Sequence, residues 1–451
     1  MGPNLWVFSF LALLTCLAPG LFAEEAPSRS PVSFSRDVAP ILAKQCQTCH
    51  GPDKSKGKFR LDTFGRLTKP GKSKKAPIVS GKPDQSELFR LITSHDDDER
   101  MPQDAEPLPA AQIATVRAWI EQGAAYDGGD PNLPLASLGA AENPSAPAVY
   151  DRPFPITALA FNPEGTELAA SGYHEVTLWS AADGKLLGRI DHLPERICSI
   201  AWSPDGKQLA VAGGTPGLSG QVVMCDPASS RAGKVLDRIA DLTLVVRFSP
   251  DGEKLAAGGA DNVVKIFETK SGKQLVRIEQ HADWVTDLAF SPDGTQLVTA
   301  SRDRSARVFD VTTGEMKSAY LKHEDPLFAV AWSDDGKQIF SAGRDRKVHA
   351  WQSADAKPVG QISGFDGDLF KIQSGFGFIF TSSADGVIRQ FSQNKRELVR
   401  KFAPASDWIY CLAIDPRSHR LAGGCYNGEV DVWDINDGTI VGRFPALPVK
   451  K

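Results

Sequence analysis

Cysteine is scarce in this chain, with seven among 451 residues, too few for a disulfide scaffold at this size. Methionine is scarcer, at four. Charge of one sign is lacking as well: the formal net charge is −4 with 24% charged residues, so no broad basic field exists to attract nucleic acid. Long apolar runs are also missing. Leu5 to Leu17 is too short to span a bilayer. Followed by Pro19-Gly20-Leu21-Phe22-Ala23 and then Glu24-Glu25, it has the form of a secretory h-region, although its n-region carries no Lys or Arg. Residues 1–23 are therefore expected to be a signal peptide cleaved after Ala23, the mature chain to lack a transmembrane segment, and the protein to be exported to a periplasmic or other extracytoplasmic space. A lipidated Cys16 is disfavoured by Thr15 before it and by the early end of the apolar run.

Two of the few cysteines stand together in Cys46-Gln47-Thr48-Cys49-His50. The form C-x-x-C-H reads as a c-type haem attachment site. Cys46 and Cys49 would form thioethers to one haem c, and His50 would be held against the iron as proximal axial ligand. Half of a zinc site is the plain alternative, but structural zinc needs a second ligand pair, and no other C-x-x-C is present. A thioredoxin-like pair would need a βαβ pattern around it, which the sequence does not offer.

The segment around this motif, about Pro31 to Tyr126, reads as two helices flanking an irregular middle. Ser33 or Ser35 can cap a helix bearing Val38, Ile41 and Leu42. Pro109 opens a second helix with Ile113, Val116 and Ile120 at helical spacing, and Gly123 stops it. The middle is rich in Gly, Pro and Lys and could not bury a core without a haem to wrap. Met101 is the expected distal axial ligand, because its polar flanks (Asp96 to Arg100, and Gln103-Asp104) do not suit a core methionine; His95 and, after it, a lysine are the other candidates. With His and Met ligation the iron would have no free position, so the haem would carry electrons and leave substrates alone. Lysines between Lys54 and Lys82 form either a solvated loop or a basic rim that docks an acidic redox partner.

The order of these residues carries a resemblance. Phe34-Ser35-Arg36-Asp37-Val38-Ala39-Pro40-Ile41-Leu42, the haem motif with Gly51, Phe59-Arg60-Leu61-Asp62, Val79-Ser80-Gly81-Lys82-Pro83, Ser86-Glu87-Leu88, Met101-Pro102 and Trp119-Ile120-Glu121-Gln122-Gly123-Ala124 together resemble the planctomycete-type cytochrome c domain, a relative of class I cytochromes c. The resemblance implies covalent haem c and electron transfer, with Cys46, Cys49, His50 and Met101 in the matching places. Gln103 departs from the common form, in which a second Pro follows Met-Pro.

Residues 127–155 lose periodicity and have a linker's Pro, Gly and Ala content. From about Ile156 the chain repeats. Asn162-Pro163-Glu164-Gly165, Ser203-Pro204-Asp205-Gly206, Ser249-Pro250-Asp251-Gly252, Ser291-Pro292-Asp293-Gly294 and Ser333-Asp334-Asp335-Gly336 recur at roughly forty-two residues, with weaker copies near Ile372 to Phe380 and at Ile414-Asp415-Pro416. Each is a tight turn between alternating apolar strands. The repeats resemble the WD40 family, which implies a closed propeller, and counting them gives seven blades. The expected fold is thus an all-α cytochrome c-like haem domain over 31–126, a linker over 127–155, and an all-β seven-bladed WD40-type propeller over 156–447.

Blade five carries His323, Ser341, Asp345 and Trp351 at the spacing of that family's buried tetrad; blade four carries His281, Thr299 and Asp303, with Phe309 replacing the Trp. These are expected to be structural, each polar group satisfied within its own blade. The last repeat keeps its own final strand, so ring closure is expected without strand exchange. Trp284 and Trp408, with Arg302, Arg304, Arg344 and Arg346, fall on loops and are of the types that anchor interfaces. Of the remaining Cys198, Cys225, Cys411 and Cys425, the last two fall on adjacent strands of one hairpin, where they could pair but are expected to be buried free thiols. Three functions remain open: an exported electron carrier, more carrier than catalyst, whose propeller docks a protein partner; a scaffold or sensor in which haem reports on its surroundings; and an oxidoreductase with a further cofactor in the propeller, similar in layout to nitrite reductases that join a cytochrome c domain to a propeller.

Overall fold

A computed structural model describes residues 31–449 except 52–53, 104, 129–130, 133, 139–142, 403–404 and 416. The expected signal peptide and Cys16 lie outside the described residues. The Ser33 side chain accepts from the Arg36 amide at 3.0 Å and opens a wide π turn, Phe34–Val38. Helix α1, Ala39–His50, follows with a proline in its first turn, where no N–H is needed. Its Ala39 and Leu42, and Val38 just before it, are buried. Helices α2, Phe64–Leu67, and α3, Glu87–Ile92, are short, and α4, Ala110–Glu121, ends before Gly123, whose φ of 105° only glycine adopts readily. Val116, Trp119 and Ile120 of α4 close over Phe34, with the Phe34 and Trp119 rings 5.0 Å apart. Much of the domain is turns, so it is only weakly helical.

One short helix falls inside the stretch read as linker. In α5, Leu135–Leu138, the Leu135 amide donates to the Asp62 carbonyl at 2.8 Å, and Leu135 and Leu138 enter the same core as Phe34 and Leu42. Two leucines in a Pro/Gly-rich window do not alter its average composition, yet they suffice to tie it down.

The propeller consists of seven four-stranded antiparallel sheets, each made of four successive strands. The last blade, from Ile409–Ile414 to Ile440–Pro445, is built the same way, so no strand is exchanged between blades. In the Ser-Pro-Asp-Gly turns the glycine amide bonds back to the serine carbonyl, as Gly206 does to Ser203 at 2.9 Å, with Gly206 at φ 70°. Blade six lacks that tetrapeptide. Phe376 and Gly377, at φ 57° and 77°, make its turn, the two positive angles of a type I′ hairpin.

Without strand exchange, the ring closes through its two ends. The Tyr150 amide donates to the Pro448 carbonyl at 2.7 Å, and the Ile156 amide to the Cys425 carbonyl at 3.1 Å. The Tyr150 hydroxyl donates to Glu175 at 2.6 Å, and Glu175 is fully buried against Arg189, also at 2.6 Å. Tyr150→Phe leaves that carboxylate short of one donor and is expected to lower stability by about 1–3 kcal/mol, read as an earlier urea midpoint. An unchanged midpoint would mean that this clasp does not hold the ring.

All six described cysteines are free. Cys411 pairs in register with Gly424, the residue before Cys425, so the two thiols leave opposite faces of the hairpin. Burial pushes the Cys225 thiol up to about 12 and Cys198 and Cys425 to about 11, which keeps them neutral.

Candidate haem site

The last turn of α1 carries Cys46, Cys49 and His50. Offsets of three and four residues place all three on one side of the helix. They form one wall of a cleft of about 290 Å³, whose other walls are Phe59, Leu61, the α3 residues Leu88, Leu91 and Ile92, and Met101. His50 Nδ1 lies 3.2 Å from the Phe59 carbonyl. With Nδ1–H donating to that carbonyl, Nε2 is left free to ligate, as in metal-binding histidines held by a second partner. Burial pushes the Cys46 thiol up to about 12, so in the unreacted chain it is neutral.

Met101 is half-buried against the domain core, and its amide donates to the Leu91 carbonyl at 3.0 Å. Arg90 braces the acidic loop before it, reaching Glu87 at 2.9 Å and Glu99 at 2.6 Å. His95 is exposed and does not line the cleft. Of Met101 and His95, then, Met101 is the one brought to it. Two thiols, an imidazole and a thioether around apolar walls fit a haem; zinc favours thiolate, imidazole and carboxylate ligands. The Phe59 carbonyl was not legible beforehand, since a backbone acceptor leaves no mark on residue type. Lys54, Lys56, Lys58, Lys69, Lys72, Lys74, Lys75 and Lys82 are all exposed. Lys56, Lys72 and Lys75 stand at the cleft mouth, where Lys75 reaches Glu87 at 3.7 Å.

In the propeller, His281 bonds Asp303 at 2.9 Å and Thr299 at 2.7 Å. His323 bonds Asp345 at 2.5 Å and Ser341 at 2.8 Å, and the Trp351 indole donates to Ser341 at 3.1 Å. Ser341, His323 and Asp345 share the connectivity of a hydrolytic triad. However, the Ser341 hydroxyl is fully buried and held by the indole, so no substrate can reach it. The sequence reading missed His349, which is buried beside this set with Nδ1 at 2.8 Å from the Tyr320 hydroxyl and Nε2 at 3.5 Å from Asp345. The signal was available: His349 follows the turn aspartate by four residues, where blades four and six place Arg307 and Arg389 to pair with theirs.

Trp284 and Trp408 each precede an innermost strand. Arg302 lies over the Trp284 ring at 4.4 Å, and Trp408 is exposed beside Tyr426, with ring centres 6.3 Å apart. Arg304, Arg344 and Arg346 are exposed. These residues lie on loops of blades four, five and seven.

Fold and site together define a small cytochrome c-type domain joined to a seven-bladed propeller. A family model described as Planctomycete cytochrome C matches residues 46–104, and the WD domain, G-beta repeat model matches 184–223, 240–268, 272–310, 314–352 and 396–434. The chain is therefore a fusion of a planctomycete cytochrome C domain with WD40 repeats, and the first of these families points to haem as its cofactor. Similar curated proteins include WD repeat-containing protein VIP3 of Arabidopsis thaliana, 29% identical over 140 residues (28% of this chain, 43% of that protein). WD repeat-containing protein 1 of Xenopus tropicalis is 25% identical over 180 residues (30% of each), and WD repeat-containing protein SL1-17 of Schistosoma mansoni 32% over 120 (26% and 38%). The chain spans less than half the length of these relatives. No described helix is long and apolar enough to cross a membrane.

Proposed function

We propose that this protein is an exported mono-haem c-type cytochrome that transfers electrons, with its propeller as a protein-docking module. The supporting observation is that Cys46, Cys49, His50 and Met101 line one apolar cleft, with His50 turned by the Phe59 carbonyl. A haem bound there supplies a one-electron couple. The two cysteines would anchor it covalently, and His50 and Met101 would hold its iron, a ligand pair that keeps the potential high. With no position left for a substrate, the domain acts as a carrier rather than a catalyst. The exposed lysines around the mouth suit an acidic redox partner, approached by charge steering. A single C-x-x-C-H gives one haem, and export agrees with the attachment chemistry, which takes place outside the cytoplasm.

The test is to express the chain with a haem-attachment system and record spectra of the reduced protein with and without carbon monoxide. The wild type should retain its haem through denaturation and ignore the gas. Replacing both Cys46 and Cys49 by Ser should abolish covalently held haem. A colourless wild-type product, or one carrying zinc at those sulfurs, would overturn the reading.

A further inference from the structure

The walls of the propeller channel are its seven innermost strands: Leu159–Phe161, Arg196–Trp202, Thr243–Phe248, Val285–Phe290, Leu327–Trp332, Leu369–Gly375 and Ile409–Ile414. All of them are described, and together they carry four charged residues: Arg196, Arg247, Asp287 and Lys371. Arg196 is exposed at the start of its strand. The other three meet inside. Arg247 reaches Asp287 Oδ1 at 3.2 Å, and Lys371 reaches the same oxygen at 3.0 Å, while Oδ2 accepts from the Val330 amide at 3.3 Å. Two cations therefore share one carboxylate, in a chain whose formal net charge is −4.

Their placement is uneven. Asp287 is 2% exposed, whereas Arg247 and Lys371 line a cavity of about 190 Å³ together with Ser199, Gln373, Cys198 and Cys411. Asp287 itself is not among the residues that line it, so the cavity sees more positive charge than negative. Arg247 spends one nitrogen on the Ser199 hydroxyl and the Val246 carbonyl, both at 2.8 Å, whereas the Lys371 ammonium has three donors and one carboxylate neighbour. An unbalanced cation between low-dielectric walls is costly, and such walls also focus its field on whatever enters. Burial drives Lys371 toward its neutral form, with Asp287 opposing and Arg247 reinforcing that push; a second anion would restore the balance.

We propose that the propeller channel binds a small oxyanion, a carboxylate or phosphate group, between Lys371 and Arg247. The cavity admits a small ion with some of its water, and the guanidinium and ammonium are the groups that recognise oxyanions best. This site is separate from the haem cleft and does not depend on the reading of that cleft.

The experiment is calorimetric titration of the full-length protein with inorganic phosphate and, separately, acetate, at constant ionic strength in chloride. Saturable one-site binding of at least one of them is expected. Lys371→Met should weaken that binding at least about tenfold, because it leaves Arg247 and Asp287 as a neutral pair. Asp287→Asn should act in the opposite direction and tighten it by about tenfold, since the resident carboxylate competes with the incoming one. Absence of saturable binding by either probe would overturn the proposal. So would wild-type affinity in Lys371→Met, which would assign the binding to the exposed lysines of the haem domain. If Lys371→Met does not fold, Asp287→Asn decides: tighter binding supports the site, and unchanged or weaker binding refutes it.

Discussion

Met101→Ala should turn a reduced protein that ignores carbon monoxide into one that binds it, and should lower the reduction potential by on the order of 100 mV. The expectation follows from how the two axial candidates are held. His50 is fixed by its own helix and by the Phe59 carbonyl, so it stays when Met101 is shortened. Met101 sits on a loop, but its amide is bonded to the end of α3, and Arg90 ties the preceding acidic residues to that helix. The thioether is thus presented by a braced segment, and alanine in its place would leave the backbone supported and the proposed haem iron one ligand short. His95→Ala is the control. An exposed side chain outside the cleft should change neither spectrum nor potential. Should Met101→Ala leave the spectrum of the reduced protein unaltered under carbon monoxide, Met101 would leave the ligand set; should His95→Ala alter it, His95 would take that place.

What could be read from the chain alone followed from how local the signals were. The haem motif is five consecutive residues, and each Ser-Pro-Asp-Gly turn is fixed by its own four, so both were legible without any tertiary knowledge. Blade six was harder, because Phe376-Gly377 makes the same hairpin by a different route, and the repeat model does not match its strands between 369 and 392. Interactions between residues distant in sequence stayed hidden. The clasp of Tyr150 on Pro448, and Asp287 shared by Arg247 and Lys371, each join residues that only the closed fold brings together, while the Phe59 carbonyl at His50, though nine residues away, is a backbone group that residue type does not mark. The tetrads lie between these cases: their spacing was readable because the four members of blade five fall within 323–351 of one repeat, whereas His349 beside them carried an unread positional signal.

That fifth residue matters for the second large effect, which is expected in His323→Ala. The substitution removes the partner that Asp345 meets at 2.5 Å and leaves the Ser341 hydroxyl with the indole alone. Breaking a buried pair of this kind costs about 3–5 kcal/mol, visible as a lowered unfolding midpoint with an unchanged haem spectrum. His349, at 3.5 Å from Asp345, can take over part of the charge but lacks the hydrogen-bonding distance, so it should not rescue the variant. Acidity provides an independent check. Burial holds the His323 pKa below the ordinary value, with Asp345 opposing and His349 and Lys347 adding to the push. The folded form therefore resists a proton that the unfolded chain accepts near pH 6.5. The stabilisation that depends on neutral His323 is complete above that pH and declines as pH falls through it. Asp345 acts lower down: His323 and His349 hold its carboxyl well below the usual range against the cost of burial, so its contribution is kept until the pH drops below the ordinary carboxylate value of about 4. The stability gap between wild type and His323→Ala should accordingly be widest at pH 7.5 and shrink between pH 6.5 and 5. A gap that widens over that interval would mean that the folded blade holds the imidazole charged, and the tetrad would then be an ion pair rather than a neutral hydrogen-bonded chain; a constant gap would mean that folding leaves the His323 pKa unshifted.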